Sequence, residues 1–120
     1  MEAVLLLAHG SRQEETTKTM ANICGQTKEL LNNVLIEEAY LQFCDKNLEK
    51  GIESLAAKGA TNIKIIPYFL FEGIHIREDI PEELKALELK YPNITMSLGA
   101  TLGTDARLAQ IVVERIREMD

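Results

Sequence analysis

Two histidines, His9 and His75, are the only imidazoles in this 120-residue chain, and each has a glycine nearby: Gly10 follows the first and Gly73 precedes the second by two positions. A neutral imidazole offers one nitrogen lone pair to a borderline divalent cation such as cobalt, nickel or ferrous iron. Two such ligands leave coordination positions open. That suits a metal to be handed on, whereas a permanent structural site is closed by four protein ligands. Without metal, the same rings can accept protons. Ser11 and Arg12 follow the first histidine, and Arg77 follows the second. Backbone N–H groups at a helix start near Ser11, with Arg12 beside them, would receive a carboxylate or phosphate. Either glycine would let the backbone approach a bulky ligand, or would serve turn geometry alone.

The elements that must position these residues are legible as four short apolar runs alternating with four stretches of helical period, a βαβαβαβα order. The first run, Ala3 to Ala8, is nearly continuous in hydrophobicity, as in a parallel strand covered on both faces. Ser11 and Glu14 have capping-box spacing, which predicts a helix from about Arg12 that buries Met20, Ile23, Cys24, Thr27 and Leu31. A second strand is expected from about Leu35 to Leu41. After it comes a helix with Leu48, Ile52, Leu55 and Ala56 on one face, stopped at Gly59. The third strand, Ile63 to about Phe69, leads into a long apolar connection from Leu70 to Glu78, with Asp79 and Glu82 as a second cap and Pro81 in the first turn. Leu84, Leu87 and Tyr91 then continue the buried stripe. A strand at about Ile94 to Ala100 precedes a last helix carrying Leu108, Ile111, Val112 and Ile116.

Repeated βα units predict a three-layer α/β/α sandwich on a four-stranded parallel sheet, with ligands beyond the carboxyl ends of the strands. His9 and His75 both fall on that edge and converge if the strand order is 2-1-3-4. The length fits one domain over 1–120 and is enough to bury roughly two-thirds of the unfolded surface.

The net charge of −6 and the lack of a basic run argue against nucleic-acid binding. Apolar residues make up 46% and charged residues 27%, the profile of an ordinary soluble domain. The apolar start is too short to span a membrane and lacks the charged region and cleavage site of a signal peptide, so cytoplasm is the expected location and no membrane partner is expected. Cys24 and Cys44 form no C-x-x-C pair, and free thiols are expected. No P-loop or G-x-G-x-x-G fingerprint is present, and no permanently bound cofactor is expected.

The segment Ala8-His9-Gly10-Ser11-Arg12, together with Pro67-Tyr68-Phe69-Leu70-Phe71-Glu72-Gly73-Ile74-His75 and Asp79-Ile80-Pro81, resembles the small CbiX-type sirohydrochlorin chelatases over nearly the whole chain. The resemblance implies a class II chelatase fold and two copies associating as a homodimer. It implies a divalent metal, cobalt first and iron or nickel otherwise, inserted into a sirohydrochlorin-type tetrapyrrole. His9 and His75 would then bind the metal, His9 would take a pyrrole proton, and Leu70, Phe71, Glu72, Gly73, Ile74 and His75 would lie along the macrocycle. Asp45 maps onto the second-helix entry that related chains also use. Here Gln42-Phe43-Cys44-Asp45-Lys46-Asn47 departs from the usual run of acidic residue, Ala, acidic residue, Pro. A non-catalytic metal-binding α/β module is the alternative. A histidine-phosphatase-like enzyme is a weaker one, since Ala8 stands where that signature has its arginine.

Overall fold

Each apolar run becomes a strand, and each stretch of helical period becomes a helix. The elements are β1 (Glu2–Ala8), α1 (Glu14–Leu30), β2 (Leu35–Tyr40), α2 (Leu48–Ala57), β3 (Asn62–Pro67), α3 (Ile74–Lys90), β4 (Thr95–Leu98) and α4 (Ala106–Arg117). This computed structural model describes residues 1–71 and 73–120, apart from the side chains of Ile74 and His75. The sheet is parallel throughout, in the order β2-β1-β3-β4. Because β1 pairs with both β2 and β3, its carboxyl end is central.

Side-chain alternation gives the sheet two faces. Leu5, Leu7, Ile63, Ile65 and Met96 point to one face, where Leu48, Ile52 and Leu55 of α2 and Ile80, Leu84 and Leu87 of α3 cover them. Leu6, Ala8, Ile36 and Tyr40 point to the other, under Met20 and Cys24 of α1. Helices therefore lie on both faces, as the βα pattern requires.

Four local expectations are corrected. The Ser11–Glu14 capping box does not form. Ser11 Oγ instead accepts the Gln13 N–H at 3.0 Å and pairs with the Thr16 hydroxyl, a side-chain turn that delays α1 until Glu14 with Gln13 as its cap. Leu31 caps the other end of α1 and is 42% exposed rather than buried. In α3, Gly73 is the cap, so His75 belongs to the first helical turn and not to a long loop; Asp79 and Pro81 lie inside the helix. Pro81 has no N–H to give the Arg77 carbonyl, a loss that normally breaks a helix. Burial of Ile80, Leu84 and Leu87 on one face offsets it. Finally, α4 forms as expected but buries none of its residues.

A polar cluster clamps β2 to α2. Glu37, 9% exposed, accepts hydrogen bonds from Lys46, from Lys58 at 2.9 Å and from Ser54 at 2.7 Å. Burial alone would raise its pKa. The bonds from Lys46, Lys58 and Ser54 outweigh that and hold the carboxyl at about 2, against an ordinary value of 4.5. A depressed carboxylate contributes stability above its unfolded pKa and loses it as pH falls toward the folded value. Melting temperature should therefore drop steeply from pH 5 toward pH 2, with about 2–3 kcal/mol of stability lost. In Glu37→Gln that acid limb should be shallower. Equal slopes for the two proteins would refute the assignment.

Candidate functional site

The carboxyl end of β1 is where the chain diverges. From β1 it turns through α1 to β2 on one side, and from β3 through α3 to β4 on the other, so the crevice between β1 and β3 is a topological switch point. His9 is the first residue past β1. Its carbonyl accepts Gln42 N–H at 3.0 Å, and Ala8 O accepts Leu41 N–H at 2.9 Å, which ties the turn to the end of β2. On the other side Tyr68 N–H continues the ladder to Leu7 O at 2.7 Å. The exposed imidazole is thus held on a backbone fixed from both sides, and its ring meets buried Phe69 edge-on, with centroids 4.3 Å apart.

Three cavities meet at His9. The largest, about 600 Å³, is lined by His9, Tyr68, Phe69, Leu70, Phe71, Gly73 and Ile76. Its walls are aromatic and aliphatic, and Leu70 and Phe71 are 52% and 82% exposed, more apolar surface than a solvated loop ordinarily carries. A second cavity, about 300 Å³, lies between His9, Leu41, Gln42, Ile76, Asp79, Ile80 and Glu83. Ile76, Ile80 and Glu83 recur at helical spacing, so one face of α3 supplies its wall. A third, about 360 Å³, separates His9, Gly10 and Tyr68 from Glu15, Thr16, Thr19 and Met20 of α1.

Of the expected site residues, His9, Leu70, Phe71 and Gly73 come together at the largest cavity. Glu72 lies outside the described residues. The side chains of Ile74 and His75 do too, although their backbone opens α3 between Gly73 and Ile76, both on the cavity wall. Arg12 places its guanidinium 4.9 Å from the centroid of Phe43, joining the first turn to the β2–α2 connection. Ser11 is engaged in its local turn. Asp45 is exposed and lines none of these cavities. Gln42, three residues earlier, does line one, and sequence reasoning passed over it together with Tyr68 and Ile76. Alternation along β3 could have found Tyr68, and a helix start at Ile74 would have found Ile76.

Gly10 lines one of these cavities and also has a structural role. Its φ is +87°, and a Cβ there would lie 2.1 Å from the Gln42 carbonyl oxygen, so the β2–α2 connection itself requires the glycine. Gly73 has φ −86° and open space around it. Of the thiols, Cys24 is pushed up to about 12, by burial first and the Glu38 carboxylate second, which makes it inert. Cys44 is half-buried, with its sulfur 4.0 Å from Ser11 O.

A parallel α/β/α sheet with an apolar cavity at its switch point and an imidazole where its cavities meet has the form of a small-molecule site with a nitrogen donor at its edge. The CbiX family model matches residues 3–119, and the chain belongs to that family. It is 35% identical over 118 residues to the sirohydrochlorin ferrochelatase of Priestia megaterium, covering 98% of this chain and 44% of that one. It is 26% identical over 139 residues to the sirohydrochlorin cobaltochelatase of Methanopyrus kandleri, covering 98% of this chain and 96% of that one. The crystal structure of the sirohydrochlorin chelatase SirB from Bacillus subtilis subspecies spizizenii in complex with cobalt superposes with a TM-score of 0.88 at 29% identity, over 98% of this chain and 50% of that chain. The chain thus spans about half the length of the ferrochelatase and of SirB, and nearly all of the cobaltochelatase.

Proposed function

We propose that this chain, as a single chelatase domain acting in a homodimer, inserts a divalent metal into sirohydrochlorin or a close derivative. Cobalt is the first choice of metal, with iron and nickel as others; cytoplasm is the expected location. The observation that carries the reading is His9 at the meeting point of an apolar cavity large enough to take part of a flat macrocycle and a second cavity flanked by carboxylates. Relatives named for both iron and cobalt insertion support the substrate class.

Insertion strips water from the cation, places it on the ring nitrogens and releases two pyrrole protons. His9 and His75 would hold the metal, which is substrate here, on one face of the ring. His9 would accept a pyrrole proton once its lone pair is free, and water would carry the second to solvent. The apolar wall of Phe69, Leu70 and Phe71 would lie along the macrocycle and exclude bulk water, with Glu72, Gly73 and Ile74 continuing it. Asp45, at the more remote second-helix entry, would face only the water around the ring, while Gly10, Ser11 and Arg12 at the first turn would meet its peripheral carboxylates through backbone N–H groups and the guanidinium. An acidic chain needs such local donors to receive a polyanion.

The test is anaerobic absorbance of sirohydrochlorin mixed with cobalt, ferrous iron or nickel, with and without catalytic amounts of protein. Multiple turnovers above the protein-free rate for at least one metal are expected. A protein that binds metal stoichiometrically but accelerates none of the three would overturn the proposal in favour of a metal carrier.

A further inference from the structure

Leu70 and Phe71 form the outer wall of the largest cavity, and both are exposed, so their side chains are not seated in the core. The backbone beneath must place them, and it leaves the sheet just before it reaches them. Tyr68 N–H still donates to Leu7 O, but Phe69 N–H turns back to Pro67 O at 2.9 Å. This three-residue turn, centred on Tyr68, ends the regular course of β3.

The connection from β4 to α4, residues 99–105, takes over where the sheet stops. Gly99 N–H donates to Ile65 O at 2.8 Å, one step beyond the pairing of Ile65 with Leu98, and Leu102 N–H then donates to Phe69 O at 2.9 Å. The β3 side advances four residues between these bonds and the connection three, so the turn at Tyr68 is taken up without losing the contact.

Gly103 comes next and lies directly against Leu70. A Cβ on it would stand 1.9 Å from Leu70 O, 3.0 Å from the carbonyl carbon and 3.9 Å from the Cα, all of them backbone atoms. Room and not conformation calls for glycine here. Gly103 does not have a positive φ, whereas the next residue, Thr104, takes φ +58° with a full side chain. Asp105 closes the far end of the connection, accepting Arg107 N–H at 2.9 Å and holding the Arg107 guanidinium through both carboxylate oxygens.

We propose that Gly103 is a positioning residue for the ligand of the largest cavity: with Leu102 it braces the Phe69–Leu70 backbone and so sets where Leu70 and Phe71 stand along that cavity. The inference rests on the reading above that the ligand is sirohydrochlorin. An alanine at 103 would have to part the two backbones by about 1.4 Å to turn the 1.9 Å approach into an ordinary carbon–oxygen contact of about 3.3 Å. A displacement on the order of 1 Å is enough to spoil a positioned contact. An apolar wall touches the ring equally before and during metal insertion, so the brace acts on affinity and not on the chemical step.

The experiment uses the full chain. Gly103→Ala should raise KM for sirohydrochlorin about tenfold and weaken binding of metal-free sirohydrochlorin, followed by absorbance, to the same extent, with kcat within about threefold. Gly99→Ala lies on the same connection but presses only on the free end of Ile66, whose Cδ1 is 2.8 Å from the added Cβ; its KM should match wild type. In a Leu70→Ala/Phe71→Ala background, where the wall is already cut back, Gly103→Ala should change KM by less than about threefold, because both act on one contact. Equal losses from the two glycine variants, a full-sized Gly103→Ala effect in that background, or a fall in kcat at constant KM would each overturn the proposal.

Deuterium exchange reads the brace without ligand. In wild type the Leu102 N–H should be protected at least about tenfold over an unstructured peptide, and exchange at the unstructured rate overturns the brace whether or not any variant folds. A wild-type protein protected at Leu102 that neither binds nor metallates sirohydrochlorin counts against the proposed function instead.

Discussion

Replacing His9 with alanine should slow metal insertion into sirohydrochlorin by about a hundredfold or more, the usual scale for losing a group that both positions a reactant and moves a proton. The fold should hardly notice. His9 is exposed, and its side chain contributes an edge contact with Phe69 worth about 1 kcal/mol. For a chain of this size that corresponds to a shift in Tm of about 4 °C. The separation of the two effects is what identifies a reacting group: activity collapses while the protein remains folded. Asp45→Ala is the natural companion, because Asp45 is exposed and outside the cavities that meet at His9; its rate should stay within about twofold of wild type. A His9→Ala protein that inserts metal at nearly the wild-type rate would remove the imidazole from the mechanism. A large loss in Asp45→Ala would mean that the second-helix entry reaches the substrate, as the family resemblance implies.

Element order and sheet topology were legible because they rest on strong periodic signals: short β-branched runs alternating with helical spacing and right-handed crossovers leave few arrangements. The order β2-β1-β3-β4 and the place of His9 at the carboxyl edge follow from that logic. What failed to read through was local competition. Ser11 has the spacing of a helix cap, yet its hydroxyl engages Gln13 N–H and Thr16 in a tighter turn. Pro81 reads as a helix start, yet three buried aliphatic residues of α3 carry the helix through it. Both cases set a motif against a tertiary or side-chain alternative that spacing cannot weigh. The amphipathic stripe of α4 poses another kind of problem, since its spacing gives the helix correctly but not its packing: none of its residues is buried. At the site, the two-histidine pattern points to the carboxyl edge of the sheet, where His9 and the backbone of His75 lie, while Gln42, which the sequence does not single out in the β2–α2 connection, lines a cavity with His9. A connection whose Phe43 adopts φ +65° does not present its side chains in a regular order, so no periodicity marks which of them turns inward.

The glycines beside the two histidines look equivalent in the sequence and should behave oppositely when given a methyl group. At Gly10 an alanine would have to hold φ at +87° with its Cβ 2.1 Å from the Gln42 carbonyl oxygen and 3.1 Å from the Tyr40 Cβ. Neither neighbour is the free end of a flexible side chain. Relief requires the β2–α2 connection to move off the first turn, stretching the Leu41 to Ala8 and Gln42 to His9 hydrogen bonds. Backbone strain and overpacking together should cost about 3 kcal/mol, or about 12 °C in Tm. Metal insertion should fall with it, because the same two bonds fix the backbone under His9. At Gly73, with φ −86° and no atom within 4 Å of an added Cβ, alanine should leave Tm within about 2 °C. Yet Gly73 lines the largest cavity, so its methyl group should raise KM for the tetrapyrrole by a fewfold without changing kcat much. Thermal melts and steady-state kinetics on the two variants separate a glycine that the fold requires from one that the ligand requires. A Gly10→Ala protein melting near wild type would mean that the turn beneath His9 is not locked to the end of β2.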